Sequence, residues 1–491
     1  MAISEQDRRS MSEAPPPAPA RFRTVAAALD SLPFTRAQKW VMGLVMAGML
    51  FDTLQQDAPG AIGPALKEVF GISNAGLVTV NTVTVVGGLI GRLVGGYLAD
   101  RKGRRYALSL NLLIYTLGGV ISAIAPNFET LVASRLIVGI GLGGEFTIGL
   151  AMISEMVATK RRGTAVGILG FASGGIGNFL AYGLFVVLLG PLNDLLGGDL
   201  HSWRWMFAFL AIPAVLVVIY RRYLPESPRF LVSTGRVQEA NRALTILASD
   251  DIRHRPTPQE VTRFLDADAA APVEAAISPV EIFKGKLLNR TVAIGAASWM
   301  AFGAQVTLLA LLPTLLVSKG YSISTSLVFT MIMYAGSMFG ALAAALVAAR
   351  LPRRTTVAVA AVLGCASAIC FALFADGAGL ILLFGSIFQF FSLFLNSTLA
   401  LWSPELYPTR VRALGTSVVN GIGNVAGAVM PFAAVFIFER SGISGVFLMI
   451  AVMYTLLAVA CRFAPETLGV PLEDINELVI LEPQPQPTRT S

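Results

Sequence analysis

The sequence predicts an all-α membrane protein in which twelve transmembrane helices form two pseudo-symmetric halves of six. Three observations support this fold class. Hydrophobic residues make up 55% of the 491 residues and charged residues only 14%, and the mean hydropathy is +0.68, far above that of a soluble domain. Roughly twelve apolar segments reach the length of about 20 residues that crosses a bilayer. A long polar stretch separates the sixth segment from the seventh.

The apolar segments follow one another with short connections in each half. In the first half they cover approximately 40–64, 74–99, 105–125, 129–157, 164–190 and 203–224. In the second half they cover approximately 291–317, 324–349, 355–375, 378–402, 412–438 and 443–463. An even number of crossings predicts that both tails lie on the same side of the membrane.

The segments divide the chain into five parts. Residues 1–39 are charged and then rich in Pro and Ala, and lack a signal peptide's short apolar core, so we expect a disordered tail. Two six-helix bundles follow at 40–224 and 291–463, joined by a polar loop at 225–290. The loop contains "VQEANRALTILA" (237–248), whose apolar spacing predicts a short helix. Residues 464–491 form a second predicted tail.

Basic residues cluster on one side of the predicted bundle. On that side lie Arg101, Lys102, Arg104, Arg105, Lys160, Arg161, Arg162, Arg350, Arg353, Arg354 and Arg410. The opposite connections offer little beyond Lys67, Lys319 and Arg440. The positive-inside rule therefore places both tails and the central loop in the cytoplasm. We expect the chain to lie in the cell's inner or plasma membrane. The same asymmetry accounts for the net charge of +7 without a nucleic-acid partner.

Other kinds of chemistry find little support. Cys365, Cys370 and Cys461 lie in apolar runs and predict neither a disulfide nor a metal site. His201 and His254 lie in polar connections, which argues against a histidine proton relay inside the membrane. The chain has no Gly-Lys-Ser/Thr phosphate loop, so we expect neither an ATPase nor another enzyme. We expect no cofactor, and partners limited to a small-molecule substrate, protons and the lipid bilayer, with the protein a monomer.

Three short echoes relate the two halves. "SEMVATKRRGT" (154–164) resembles "PELYPTRVRALGT" (404–416), and "GIGN" occurs at 175–178 and again at 421–424. "PES" and "PET" close the sixth and twelfth segments. Because the echoes occur in the same order, they predict an internal repeat of the kind that rocks around a central site in transporters.

The stretch "FDTLQQDAPG" places charge inside the first segment. At 1.5 Å per residue, Asp52 lies roughly 18 Å from the start of that segment, near the bilayer midplane, and Arg135 of the fourth segment lies at a matching depth. An isolated charge at that depth is costly, so we expect Asp52 and Arg135 to pair. Glu145 and Arg92 form a second depth-matched pair, either an inner gate or a structural pair, with Glu145 a possible second proton carrier. Asp57, roughly 7 Å farther out, is expected to carry protons or to line the outer vestibule.

Such a pair has two possible roles. Burial raises the pKa of a carboxyl group whereas a nearby guanidinium lowers it, so breaking and remaking the pair would take up a proton on one side and release it on the other. A carboxylate substrate that bound Arg135 would free Asp52 for protonation, and solute and proton would then enter together. The alternative is a permanent Asp52–Arg135 bridge in a carrier that couples to nothing.

Polar or aromatic side chains at mid-helix are the candidate substrate contacts, although each could instead form a hydrogen bond between helices. Gln55 and Gln56 follow Asp52 and are expected to line the same cavity. The other candidates are Asn178, Gln305, Tyr334, Gln389, Asn396, Asn420 and Asn424.

Charged residues at the cytoplasmic helix ends predict a gate that bridges helices when the entrance is closed. Exposed ion pairs are worth under about 1 kcal/mol each, but a network broken on opening would shift the balance between two conformers. The alternative is solvated loop charge. The gate candidates are Arg92, Asp100, Arg104, Glu155, Arg162, Glu405 and Arg412.

These motifs resemble those of the major facilitator superfamily over almost the whole chain from about 40 to 470. "GGYLADRKGRR" (95–105) is similar to the family's loop motif between the second and third helices. "PESPRFLVSTGR" (225–236) and "APETLG" (464–469) resemble the sugar-porter-like branch, which includes organic ion, nicotinate and aromatic acid carriers. The resemblance implies a proton-coupled carrier that pairs an Asp of the first helix with an Arg of the fourth, where this chain has Asp52 and Arg135.

The seventh helix departs from the hexose carriers. Those carriers usually show a paired-Gln signature that ends in Asn, whereas this chain reads "SWMAFGAQVTLLALLP" with a single Gln305. "GIGLGGEFTIG" and "ELYPTRVRALG" look more like organic-acid and organic-ion carriers. The leading prediction is proton-coupled symport of a small organic or aromatic acid by alternating access. The alternatives are a sugar:proton symporter, a drug or organic cation carrier, and a non-transporting sensor on the same fold.

Overall fold

A computed structural model describes residues 22–253, 255–266, 282–347, 350–407 and 411–468, apart from the side chains at 199, 200 and 413. The predicted tail segments 1–21 and 469–491 lie outside the described residues. The described chain is built from helices, which confirms the predicted fold class.

Six helical spans form the first half. They are Arg36–Ala61, Asn74–Lys102, Arg104–Ala123, Phe128–Met156, Thr159–Leu189 and His201–Tyr223. Side chains of Thr35, Ser73 and Asn127 cap the first, second and fourth spans by accepting a hydrogen bond from the backbone three residues on. The fifth span contains a π-helical stretch, Phe171–Gly177, and a short helix, Gly63–Phe70, follows the first span.

The second half contains Gly285–Ser318, Ile323–Val347, Arg353–Phe374, Ala378–Glu405 and a long element, Arg412–Ala460. The long element breaks at Gly442, where φ is 63°, and so comprises the eleventh and twelfth spans. Ten described helices have the length and hydropathy of a membrane crossing. The first span falls outside that set, and the break at Gly442 divides one member, so the described chain makes twelve crossings.

Residues 22–35 and 225–266 pack together on one side of the bundle, here called the loop side; the opposite side is the far side. The predicted helix at 237–248 is confirmed as Val237–Ala248. We expected disorder up to residue 39, but Val25–Ser31 is a helix and the first span already begins at Arg36. Val25–Ser31 is ordered because its apolar face has a surface to cover: Val25, Ala28 and Leu29 are buried in the same core as the loop helix. The seventh span likewise begins at Gly285, earlier than predicted.

The two halves repeat each other in their packing. A Cβ added to Gly177 of the fifth span would lie 3.2 Å from the Thr53 side chain in the first span. A Cβ added to Gly423 of the eleventh span would lie 2.6 Å from Ser298 Oγ in the seventh. Both glycines are the third residue of "GIGN", so this echo marks two equivalent close helix contacts.

Described contacts between the halves lie at mid-membrane and toward the far side. Thr82 Oγ1 donates to the carbonyl of Ala428 (2.9 Å), and Ser324 Oγ donates to the carbonyl of Leu189 (3.1 Å). Gly60 of the first span packs against the backbone of Leu309 in the seventh. These contacts join the halves at mid-membrane and on the far side. On the loop side, each ion pair given by the described residues lies within one half or within the central loop.

Candidate functional site

One face of the first span lines the space between the halves. Asp52, Gln56 and Gly60 follow one another at intervals of four residues and so share that face. Gly60 touches the seventh span, which shows that the face is directed at the second half. Gln56 is exposed although it lies deep in a membrane helix. An exposed amide at this position can meet a solute in the space between the halves.

Gln56 also holds Asp52. Its Nε2 donates to Asp52 Oδ1 at 2.7 Å, while Asp52 itself is buried. Asp52 also interacts electrostatically with Arg92 of the second span. The carboxyl group therefore meets the central space through the Gln56 amide.

The predicted pair between Asp52 and Arg135 is not formed. Arg135 is completely buried and donates from Nη1 to Gln55 Oε1 (3.1 Å), from Nη2 to the Gln55 carbonyl (2.7 Å) and from Nε to Thr84 Oγ1 (3.3 Å). Its guanidinium lies 5.5 Å from the centre of the Phe207 ring. Two neutral acceptors of Gln55, its side-chain oxygen and its carbonyl, thus take the place that we expected the Asp52 carboxylate to fill.

Gln55 is not a wall of the central cavity, contrary to expectation. It has no exposed surface, and besides accepting from Arg135 it donates from Nε2 to the Leu210 carbonyl at 3.2 Å. Gly119 of the third span leaves room for it, since a Cβ there would lie 2.7 Å from Gln55 Nε2. Gln55 points into the first half and ties the first span to the fourth and sixth.

The predicted pair between Glu145 and Arg92 is also absent. Arg92 Nε donates to the carbonyl of Gly143 at 3.3 Å, whereas Glu145 lies against Gly48 of the first span. Glu145 is completely buried, and among the described residues neither of its carboxyl oxygens has a hydrogen-bond partner. It interacts electrostatically with Asp52. The two side chains share a depth but leave their helices in different directions.

Asp57 lies at the contact between the halves and not in an open outer vestibule. It is buried, and its carboxyl oxygens have no hydrogen-bond partner within the described part of the chain. It interacts electrostatically with the hydroxyl groups of Tyr182 and Tyr334. These two rings come from opposite halves and stack at 5.0 Å between centroids, and the Gln389 side chain lies near the Tyr334 hydroxyl. Asp57, Tyr182, Tyr334 and Gln389 form a cluster that we call the far-side cluster.

The sequence reasoning missed Tyr182, although a signal was present. It stands four residues after the candidate Asn178 on the same helix, and both are buried. Gln305 is partly buried in the seventh span. These residues extend the polar surface from the far-side cluster toward the space between the halves.

Three other candidate contacts form hydrogen bonds within the second half. Asn396 donates from Nδ2 to the carbonyls of Ala301 (3.4 Å) and Ser392 (2.9 Å), which ties the tenth span to the seventh. Asn424 donates from Nδ2 to the carbonyl of Asn420 (2.6 Å), and Asn420 is exposed. Asn396 thus follows the structural alternative, whereas Asn420 keeps an open side.

The gate candidates form equivalent bridges in the two halves. Arg104 lies 3.1 Å from Asp100 and 3.2 Å from Glu155. Arg353 lies 3.1 Å from Glu405, and Thr467 donates to the same carboxylate at 2.5 Å. Each bridge links the start of one span to the end of the next within a half. The sequence did not indicate Arg353 as a gate residue, because the repeat at 404–416 contains Arg412 and not Arg353.

The remaining gate candidates play other parts. Arg412 donates from Nε to the carbonyl of Tyr407 at 3.4 Å. Arg162 Nε has no hydrogen-bond partner among the described residues. Arg92 lies at mid-membrane, as its interaction with Asp52 shows, and does not belong to the loop-side bridges.

The "PES" and "PET" motifs have a clear structural role that the sequence did not reveal. Glu226 accepts hydrogen bonds from the backbone N–H groups of Arg104 (2.9 Å) and Arg105 (3.2 Å), at the start of the third span. Glu466 does the same at the start of the ninth, from Arg353 (2.7 Å) and the residue after it (2.9 Å). Each carboxylate satisfies N–H groups that the helix itself leaves unpaired.

Comparisons with known proteins match this architecture. The family model described as sugar (and other) transporter matches residues 55–479. YdjK of Escherichia coli K12, named for metabolite transport, is 30% identical over 461 residues, which covers 92% of this chain and 96% of YdjK. The niacin transporter NiaP of Acinetobacter baylyi is 28% identical over 443 residues, which covers 89% of this chain and 95% of NiaP. Their names describe transport and not enzymatic activity, as predicted.

A solved structure shows the same fold. The inward-open conformation of the xylose transporter XylE from Escherichia coli has a TM-score of 0.71 and 19% identity, and covers 90% of this chain and 99% of XylE. XylE bound to 6-bromo-6-deoxy-D-glucose, where it is described as a proton:xylose symporter, has a TM-score of 0.66 and 21% identity over the same shares of the two chains.

Proposed function

Because the chain belongs to the sugar (and other) transporter family, we propose that it is a proton-coupled symporter of a small organic or aromatic acid. The observation that carries this proposal is the Asp52–Gln56 hydrogen bond on the face between the halves, with Arg135 engaged elsewhere. Niacin, the solute in the name of NiaP, is an aromatic carboxylic acid. XylE, described as a proton symporter, shares the fold.

Three buried carboxyl groups in the first half are the proposed proton carriers. Asp52, Asp57 and Glu145 are all buried, and within the described residues none forms an ion pair. Among the described residues the oxygens of Asp57 and Glu145 accept no hydrogen bond, and a buried carboxylate without a partner is costly, so these two groups are most easily held as neutral acids. Asp52 accepts from Gln56, which stabilises its charged form. Asp52 interacts electrostatically with both of the others. Their titrations are therefore linked, and a proton gained by one alters the proton affinity of the next.

The Gln56 amide is the proposed link between proton and solute. A substrate carboxylate that accepts the Gln56 Nε2 hydrogen bond removes the donor that Asp52 now uses, and brings a second negative charge close to Asp52. Both effects favour protonation of Asp52. One proton then accompanies each monovalent anion, so each transport cycle transfers no net charge across the membrane. This replaces the mechanism in which Arg135 is shared, because a fully buried guanidinium with three acceptors is not open to a solute.

The far-side cluster is the proposed outer gate. Tyr182 and Tyr334 stack across the two halves and cover Asp57. When the halves separate on the far side, this stack must break and Asp57 becomes accessible. The positive-inside rule supports a cytoplasmic position for the basic loop side, and in this proposal the present conformation is the one open to the cell interior. Alternating access then loads solute and proton outside and releases them inside.

A ligand screen followed by transport tests the proposal. Purified protein is screened by thermal shift against nicotinate, benzoate, xylose and a quaternary ammonium ion, because a bound ligand stabilises the state that it fits. We expect a carboxylate to raise the Tm. The same compound should accumulate in proteoliposomes under an inward-directed proton gradient. Stabilisation by xylose alone would favour the sugar symporter, and binding without counterflow would favour the sensor.

A further inference from the structure

A second pocket lies outside the transport pathway, on the loop side. It has a volume of about 410 Å³ and lies among the start of the third span, the end of the sixth and the loop helix Val237–Ala248. Four arginines line it: Arg105, Arg221 and Arg242 from these three parts, and Arg255 from the segment after the loop helix. The positive-inside rule explains why arginines lie on this side of the membrane, but it does not explain why four of them line the same cavity.

The two carboxylates in the wall do not neutralise this charge. Glu226 accepts from the backbone N–H groups that begin the third span. Glu239 receives both hydrogen bonds of a bidentate pair with Arg236, at 2.7 Å and 2.5 Å. Within the described parts of the chain, neither carboxylate forms an ion pair with an arginine of the pocket. With four arginines and two carboxylates in its wall, the cavity carries an excess of positive charge.

The pKa of Arg255 reflects the positive charge of its neighbours. Burial lowers the pKa of its guanidinium, and repulsion from Arg105, Arg242 and Arg222 lowers it further, with Tyr223 opposing. Four cations that outnumber the two carboxylates beside them attract an anion, and a multivalent anion most strongly.

We propose that this pocket binds a phosphate-bearing anion of at least two negative charges. The arginine fork matches phosphate oxygens bidentately, and four arginines from four segments of the chain suit a group with several such oxygens. The volume is within the range of small-molecule sites and larger than one phosphate needs. The pocket lies where two spans leave the membrane, so the phosphate belongs either to the headgroup of an anionic lipid or to a soluble compound. When bound, the anion ties the loop helix to the third and sixth spans.

The test compares two double variants that lose the same charge. Arg242→Gln with Arg255→Gln removes two exposed arginines of the pocket, whereas Arg253→Gln with Arg263→Gln removes two exposed arginines outside it. Binding of inorganic pyrophosphate to the purified full chain is measured by calorimetry, in neutral detergent and in nanodiscs of phosphatidylcholine with or without cardiolipin. We expect saturable binding in detergent that weakens by about tenfold or more in the pocket variant and stays unchanged in the control.

The lipid arm assigns the source. If the pocket takes a lipid headgroup, cardiolipin in the nanodisc blocks pyrophosphate; if it takes a soluble phosphate, both kinds of nanodisc bind it equally. Absence of saturable pyrophosphate binding to the wild-type protein would overturn the proposal. Equal weakening by the two double variants would also overturn it, because that result indicates a diffuse attraction to the whole basic face.

Discussion

Glu226 and Glu466 occupy equivalent places in the two halves, and each holds the first N–H groups of a span that begins on the loop side. Their environments differ. Burial raises the pKa of Glu226, and the N–H donors around it only partly oppose this. For Glu466, burial also acts upward, but four backbone N–H donors together lower the pKa below its ordinary 4.5.

These opposite shifts predict opposite responses to an amide substitution. A group with a lowered folded pKa adds stability above its unfolded pKa and loses that contribution as pH falls through the folded value. Glu466→Gln should therefore lower the Tm at pH 7 and flatten the loss of stability below about pH 4.5. A group with a raised pKa contributes most in its neutral form, so Glu226→Gln should keep or raise the Tm at pH 7. Differential scanning fluorimetry across a pH series measures both; equal losses in the two variants would contradict the assignment.

Asp52→Asn should abolish accumulation driven by a pH gradient, because the amide cannot carry the proton. Solute exchange should persist, since the amide of Gln56 still faces the space between the halves. Proteoliposomes with an imposed gradient measure the first property and counterflow measures the second. Wild-type accumulation in this variant would exclude Asp52 as the coupling group.

Gln56→Leu should weaken binding of a carboxylate substrate by about tenfold or more, because it removes the proposed donor to the solute. The matched control is Gln238→Leu, which removes an exposed amide from the loop helix. Binding is measured by calorimetry with the best carboxylate of the screen. An unchanged Kd in the first variant would show that Gln56 does not bind the solute, and would leave Gln305 and Asn420 as the candidate contacts.

Arg135→Lys should destabilise the protein while leaving the substrate Kd within a few-fold of wild type. A lysine keeps the charge but cannot reproduce the three directed donations to Gln55 and Thr84. Loss of two charge-assisted hydrogen bonds costs about 2 kcal/mol or more in unfolding free energy. The Tm and the Kd are measured on the same preparation. A stable variant with a much weaker Kd would restore the shared-arginine mechanism.

A cysteine pair at Thr82 and Ala428 should lock the far side closed. These residues join the second and eleventh spans across the two halves through a hydrogen bond of 2.9 Å. Oxidation of Thr82→Cys with Ala428→Cys should abolish transport, and reduction should restore it. Thr82→Cys alone controls for the three native cysteines. Undiminished transport after complete cross-linking would show that the far side does not open there.

Depth along a helix could be predicted from the sequence, but direction around the helix could not. Hydropathy is a local property, so the twelve spans and the loop helix at 237–248 emerge close to their observed bounds. Asp52 and Arg135 do share a depth, yet Arg135 contacts Gln55, which leaves the first span on another face. Glu145 and Arg92 separate for the same reason. The rotation of each helix is set by its packing, which no count of residues along the chain contains.

The structural role of Glu226 and Glu466 also could not be predicted from the sequence. The "PES" and "PET" echo was visible, but its meaning depends on N–H groups more than 110 residues away in the chain. A motif that recurs in both halves indicates a shared structural role, but it does not show that this role is to accept hydrogen bonds from the start of another helix.

The contact between Gly60 and Leu309 makes residue 60 a possible wedge between the halves. A Cβ at this position would lie 2.0 Å from the Leu309 carbonyl oxygen, where a backbone atom cannot yield as a side chain can. Any larger residue must push the first and seventh spans apart at the level where they now touch. Because the halves meet at this contact, a larger side chain would limit how closely they approach on the far side. The absence of a single methyl group thus sets how completely the far side can seal.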